Sequence, residues 1–318
     1  MRQIHKFSLT ILSVAFSIAG AAPSLAADYP EKRITFVVPY APGGATDILG
    51  RLVANGLKDR LGQAVIVENR AGAATQIGSN YVGQAAPDGY TLLFTTPLLA
   101  QAPYFPESSL KYDPVRGYTP IIKAFSAPWF LYVNSNLPTH NIREFLAHGK
   151  ANRGKLNFGS AGSEIQFADF LNNIGFELVV VPFKGMSDVF AALAGNNVQV
   201  AFASYQTGKP YVDAGKIRAI GIASPRRSTI ATDVPTLAES GQSVGAIPDL
   251  WFGLVGPAAL PAPVLTRLNR EVNNYLNDPG TRAKVSGEMY FEIVGGAPEE
   301  FTKDIVANMA LFKRLTSK

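Results

Sequence analysis

The chain has 318 residues, a formal net charge of +5 and no cysteine. That length gives one large or two medium domains a substantial core, and a composition 47% hydrophobic and 17% charged excludes a disordered chain. The basic residues are scattered rather than set in a stripe with aromatics, which excludes a nucleic-acid interface, and without disulfides the stability must come from the core.

In chain order, the first element is an export signal. Arg2 and Lys6 precede an apolar run over residues 7–22, and Ser24-Leu25-Ala26-Ala27 supplies small residues for cleavage. The run is short for a bilayer span. The expectation is a periplasmic protein, cleaved near Ala26-Ala27, with residues 1–27 removed.

Alternation of strands and helices follows. A short, apolar, β-branched run over 34–38 predicts a buried strand. Ile48, Leu49, Leu52, Val53, Leu57 and Leu61 recur at helical spacing, and Gly62 suits the position past a helix end. Strands over 65–67 and 90–94 flank a helix over 76–86, with Pro87-Asp88-Gly89 as a turn. The pattern restarts with strands over 129–133, 156–158, 179–181, 198–203 and 217–223. Helices are expected over 142–150, from about Phe167, and around Val189, Ala192 and Leu193; Pro210 suits the start of another and Gly215 its end. A strand over 251–255 then leads to two helices, one carrying Val264, Leu268, Val272 and Leu276, the other opened by Pro298-Glu299-Glu300. The alternation predicts α/β architecture with parallel sheets covered by helices on both faces.

Two loops carry the functional signal. Val37-Val38-Pro39-Tyr40-Ala41-Pro42-Gly43-Gly44-Ala45-Thr46-Asp47 leaves a strand and enters a helix through small residues. The glycines allow close approach to the backbone, and free N–H groups at a helix start attract an anion. A tight turn capped by Thr46 or Asp47 accounts for the same residues. Gly159-Ser160-Ala161-Gly162-Ser163 repeats the arrangement in the second unit. Two such loops facing each other describe a receptor that closes on its ligand by hinge motion. The histidines after the signal, His140 and His148, lack ligand spacing and read as surface residues; Gly-x-Gly-x-x-Gly is absent, and Trp251 reads as core. No metal or cofactor is called for.

The stretch from Ile34 to Asp47 resembles the opening of the substrate-binding proteins of tripartite tricarboxylate transporters, the Bug-type periplasmic receptors. Val67-Glu68-Asn69-Arg70-Ala71-Gly72, Ala86-Pro87-Asp88-Gly89-Tyr90, Gly159-Ser160-Ala161-Gly162, Val181-Pro182-Phe183-Lys184-Gly185, Asp233-Val234-Pro235-Thr236 and Trp251-Phe252-Gly253-Leu254 extend the likeness in order. The resemblance implies a two-domain type II periplasmic-binding fold, a ligand cleft between two doubly wound α/β lobes, and binding rather than catalysis. The lobes would be residues 28–127 plus 249–318, and residues 128–248. The implied ligand is a small organic acid delivered to membrane subunits of a tripartite tricarboxylate-type transporter by a monomeric receptor. Gly43, Gly44, Ala45, Thr46 and Asp47 carry over as one ligand loop, and Ser160, Ala161 and Gly162 as the other. Tyr40, Ser163, Thr95, Thr96, Phe183, Lys184, Ser204 and Gln206 complete the candidate set.

The sequence departs from the family pattern after Gly162, where Ser163-Glu164-Ile165-Gln166 replaces a run of small residues and the segment to Val181 is short. In the cleft Glu164 would oppose a carboxylate or accept from an amide, hydroxyl or cation; at the helix start it would sit favourably on the dipole. Two further readings stay open: a receptor reporting to a sensor kinase, and an exported hydrolase or isomerase with Asp47 or Glu164 as base.

Overall fold

The computed structural model describes residues 29–104, 110–161, 164–183, 185–224, 226–241, 247 and 249–317. The expected signal segment, Gly162, Ser163 and Lys184 lie outside the described residues, as do the side chains of Glu164 and Gln166.

The first sheet opens with β1 (Ile34–Val38), α1 (Ala45–Leu61), β2 (Val65–Asn69), α2 (Gln76–Gly83), β3 (Thr91–Thr95), α3 (Leu98–Gln101) and β4 (Tyr118–Ala127). The second is built from β5 (Phe130–Asn134), α4 (Ile142–Ala151), β6 (Asn157–Ser160), α5 (Glu164–Asn173), β7 (Val179–Pro182), α6 (Met186–Ala194), β8 (Val200–Ala203), α7 (Tyr205–Asp213) and β9 (Ile217–Ile222). The chain then returns to the first sheet with β10 (Leu250–Pro257), α8 (Ala262–Leu276), α9 (Pro279–Arg282), β11 (Glu292–Ile293) and α10 (Pro298–Thr316). Strand order is β11-β4-β10-β3-β1-β2 in one sheet and β7-β6-β8-β5-β9 in the other. The two-lobe fold class expected from the sequence is therefore the one observed.

Each sheet is buried on both faces, which is why its central strands read as continuous apolar runs. β1 lies between β2 and β3 in parallel register, with Phe36 opposite Val67 and Leu92. Leu49, Val53 and Leu57 of α1 and Val264, Leu268 and Val272 of α8 pack on one face with Phe36 and Phe94. Val82 of α2, Leu99 of α3 and Phe301 and Ile305 of α10 pack on the other with Val37, Leu93 and Trp251. Gly62 closes α1 in the left-handed region at φ 67°, its N–H on Lys58 O, as expected of a C-terminal glycine.

Three expectations need correction. The sheets are mixed rather than parallel: β10 runs antiparallel to β3 and β4, and β5 antiparallel to β8 and β9. β4 was not expected as a strand, because Pro120 and Lys123 interrupt its apolar pattern; Pro120 is accommodated where the register with β10 shifts. Pro210 does not open α7, which starts at Tyr205 directly after β8, so Pro210 sits inside the helix.

Candidate functional site

In a parallel arrangement all strand C-terminal ends share one edge, and the loops that leave it are where α/β proteins bind ligands. Here that edge carries the turns after β1, β2 and β3 in the first sheet and after β6, β7 and β8 in the second. The helices entered from β1, β2, β7 and β8 share a chemical property: none has a side-chain cap on its first N–H groups. α4 follows β5, which runs the other way, and it is capped by Asn141, which accepts from Glu144 N. Uncapped helix starts thus line that edge, where an anion profits from free N–H donors, although α8 after the antiparallel β10 is uncapped as well.

The loop before α1 defines the first half of the site. Gly43 takes φ +87°, a conformation L side chains rarely adopt, and Gly44 is an N-cap with no side chain to offer. The first backbone bond of α1 is Ile48 N to Gly44 O, so the N–H groups of Gly44, Ala45 and Thr46 stay unpaired. Asp47 is engaged within the loop itself. It is 3% exposed, and its carboxylate accepts from Gly43 N at 2.9 Å, Asn69 Nδ2 at 2.9 Å, Arg51 Nε at 3.1 Å and Arg51 Nη2 at 3.0 Å. Asn69 Nδ2 also donates to Tyr40 O, and Arg51 Nη2 to Asn69 Oδ1. Burial pushes the Asp47 carboxyl up, but the bonds from Arg51, Gly43 and Asn69 outweigh it and hold the group below the usual carboxylate range. Asp47 braces the loop, and Arg51 cancels its charge.

The other candidates divide. Tyr40 Oη and Thr96 Oγ1 hydrogen-bond across the ends of β1 and β3, and burial raises the Tyr40 phenol. Thr95 is fully buried and its Oγ1 has no partner. Ser160 is buried at the end of β6, beside half-buried Ala161. Phe183 N donates to Ser160 O at 2.8 Å, and its ring packs on the core beneath α6 and α7. Ser204 is the N-cap of α7, yet its Oγ pairs with Thr207 Oγ1 at 3.0 Å instead of capping. Gln206 is half-buried next to it. Trp251 is 1% exposed and edge-on to Phe301, the core position expected of it.

Sequence reasoning missed three residues. Arg51 looked like a charge on the outer face of α1; its i,i+4 spacing to Asp47 was the available signal. Asn69 lay in a recognised string but was given no role. Thr75, the N-cap of α2, carries a buried hydroxyl with no partner. Gly241-Gln242-Ser243-Val244-Gly245 has the spacing of a nucleophile elbow, but a 3-10 turn over Ala238–Ser240 precedes it where an elbow needs a strand, and 242–246 lie outside the described residues. Among the described residues no cluster of His, Asp and Glu is placed to hold a metal, and no helix is long and apolar enough to cross a membrane.

Two sheets joined by two crossings, each with uncapped helix starts at the C-terminal ends of its parallel strands, make a two-lobe α/β fold. A family profile described as tripartite tricarboxylate transporter family receptor matches residues 49–316. BugT of Bordetella pertussis is 31% identical over 276 residues, 84% of this chain and 84% of that protein. Periplasmic binding protein BugD superposes with TM-score 0.75 at 28% identity, covering 90% of this chain and 97% of that one. The R. palustris protein Rpa4515, solved with adipate, superposes with TM-score 0.81 at 28% identity, covering 91% and 98%. The chain belongs to the tripartite tricarboxylate transporter receptor family, a family of periplasmic solute-binding proteins.

Proposed function

We propose that this receptor captures a small organic acid between its two lobes and passes it to the membrane subunits of a tripartite tricarboxylate-type transporter. The observation that carries the reading is the uncapped start of α1 beside a neutralised Asp47. The N–H groups of Gly44, Ala45 and Thr46 face no competing side-chain acceptor, so a ligand carboxylate is the partner they lack. Adipate in Rpa4515 is a ligand of that chemistry. The unpaired N–H groups of Tyr205 and Gln206 at the start of α7, with Ser160 and Ala161, supply the second lobe's share.

The lobes are residues 28–127 with 249–318, and residues 128–248. They meet through Tyr205 against Tyr290, ring centroids 5.5 Å apart, and through the packing of α10 on α5. Closure removes water from the cleft and strengthens the polar contacts to the ligand. The signal-like segment supports export of the mature protein to the periplasm, where it acts as a monomer. Binding rather than catalysis fits Asp47: a base needs a free lone pair beside a nucleophile, and this carboxylate is filled by three neighbouring residues.

Calorimetric titration of the purified mature chain with C4 to C6 dicarboxylates, aromatic monocarboxylates and the matching amides tests the reading. Micromolar binding of an acid, with at least hundredfold weaker binding of its amide, is expected. Equal affinity for acid and amide overturns the carboxylate assignment.

A further inference from the structure

The segment between α9 and β11 reaches from the first sheet's lobe to the second's. Met289 and Phe291 both join the core on the α1 and α8 face of the first sheet, Phe291 edge-on to Phe252 with ring centroids 5.3 Å apart. Tyr290 between them takes φ +58°. A bulky residue in the left-handed region is an outlier, and such strain persists only where the surroundings over-determine it. Here both neighbours are tied down: Met289 N donates to Lys284 O and Phe291 N to Val285 O, each at 3.1 Å. The Tyr290 ring is left outside the first core, half-buried.

That ring meets α7. It stands edge-on to Tyr205, the first residue of the helix, with centroids 5.5 Å apart, and Lys209 Nζ lies 5.7 Å from its centre. Tyr205 in turn leans on Phe130 of β5 at 5.1 Å, which ties the contact to the second sheet's core. Two residues on, Glu292 accepts from Ser228 Oγ at 3.5 Å. Tyr290 and Glu292 thus both touch the second sheet's lobe, while Glu292 and Ile293 pair with Ser126 and Phe125 of β4, beside the crossing into β5. What the ring pair holds is the start of α7. Tyr205 follows the N-cap Ser204, whose hydroxyl is turned to Thr207, and the N–H groups of Tyr205 and Gln206 are unpaired.

We propose that Tyr290 is a positioning residue for ligand capture: its ring, held out by a left-handed turn, sets the uncapped start of α7 at a fixed place relative to the loop before α1. That the start of α7 meets the ligand rests on the carboxylate reading above; the ring's hold between the lobes does not. An edge-to-face aromatic pair biases an equilibrium by about two- to tenfold. Without it the binding-competent arrangement is a smaller fraction of the whole, and apparent affinity falls by the same factor.

The chain has no cysteine, so spin labels on Lys58→Cys in α1 and Lys155→Cys before β6, both exposed, report the distance between the lobes without background. The ligand-free protein is expected to give one narrow distance. Tyr290→Gly, which suits the left-handed backbone, should broaden it, and so should Tyr205→Leu; Tyr290→Phe, which keeps the ring, should leave it narrow. In calorimetry with the best-bound acid, Tyr290→Gly should bind about fivefold more weakly and Tyr290→Phe within about twofold of wild type. The double variant Tyr205→Leu, Tyr290→Gly should lose no more than the worse single variant, because the two residues form one contact. An unchanged distance in Tyr290→Gly overturns the inference. Single effects that multiply in the double variant overturn it too, as does a Tyr290→Phe that behaves like Tyr290→Gly. If no acid binds wild type, the carboxylate reading falls, and the distances alone decide whether Tyr290 holds the lobes.

Discussion

Asp47→Asn separates a braced loop from a ligand contact, because the two roles predict opposite effects on an anion. The carboxylate receives N–H groups from Gly43, Asn69 and Arg51 on both its oxygens. An asparagine retains one accepting oxygen and turns an NH2 toward at least one of those donors. Hydrogen bonds to a charged acceptor contribute about 1.5–3 kcal/mol each. The Arg51 side chain is 48% exposed, so its i,i+4 ion pair adds only about 0.3–0.5 kcal/mol. Losing one buried charge-assisted bond and straining a second gives an expected destabilisation of about 3 kcal/mol. Urea unfolding at pH 7 measures that figure, and calorimetry on the same samples measures affinity for the best carboxylate. Loosening the loop should weaken anion binding about tenfold. If Asp47 instead faced the ligand, removing its negative charge would tighten anion binding and leave the unfolding midpoint unchanged; that pair of results refutes the brace.

The same carboxylate sets a pH dependence. Its folded value is lowered, so its contribution is present above the unfolded carboxylate value of about 3.9 and is lost as pH falls through the folded value; the stability gap between wild type and Asp47→Asn should be flat from about pH 5 to 8 and close in stronger acid. Asp249, where the chain re-enters the first sheet, behaves oppositely. Burial, countered by Lys123 and reinforced by Glu292, pushes its carboxyl up to about 6, so the penalty on the folded state is absent below the unfolded value and grows as pH rises through 6. Asp249→Asn should therefore stabilise the protein at pH 7.5 by about 1–2 kcal/mol, its partial exposure to solvent reducing the effect, and have little effect at pH 4; denaturant midpoints at the two pH values decide it. Gly208→Ala places a Cβ 2.2 Å from the ring of fully buried Tyr132, which cannot swing into solvent, so thermal unfolding should report a loss of about 1–3 kcal/mol.

What was legible in the sequence follows from where a residue's partners lie. β1, β3 and β8 are buried on both faces, so their runs of valine, leucine and phenylalanine declare themselves without knowledge of the neighbouring strand. β4 does not: its Pro120 and Lys123 make sense only beside β10, more than a hundred residues away, where a shifted register takes up the proline and Asp304 of α10 accepts from Lys123 at 2.9 Å. The same division runs through the site. The glycines of the α1 loop signal their own conformation, so the loop was legible, whereas the role of Asp47 depends on Asn69, which only the pairing of β1 with β2 brings beside it. Thr75 was illegible for the opposite reason. Its residue type suits a helix cap, but its backbone is left-handed at φ 76° and makes no such bond, a conformation that the residue type does not announce. Local chemistry thus announces the donors a ligand would meet, while the groups that hold those donors in place are fixed by long-range contacts.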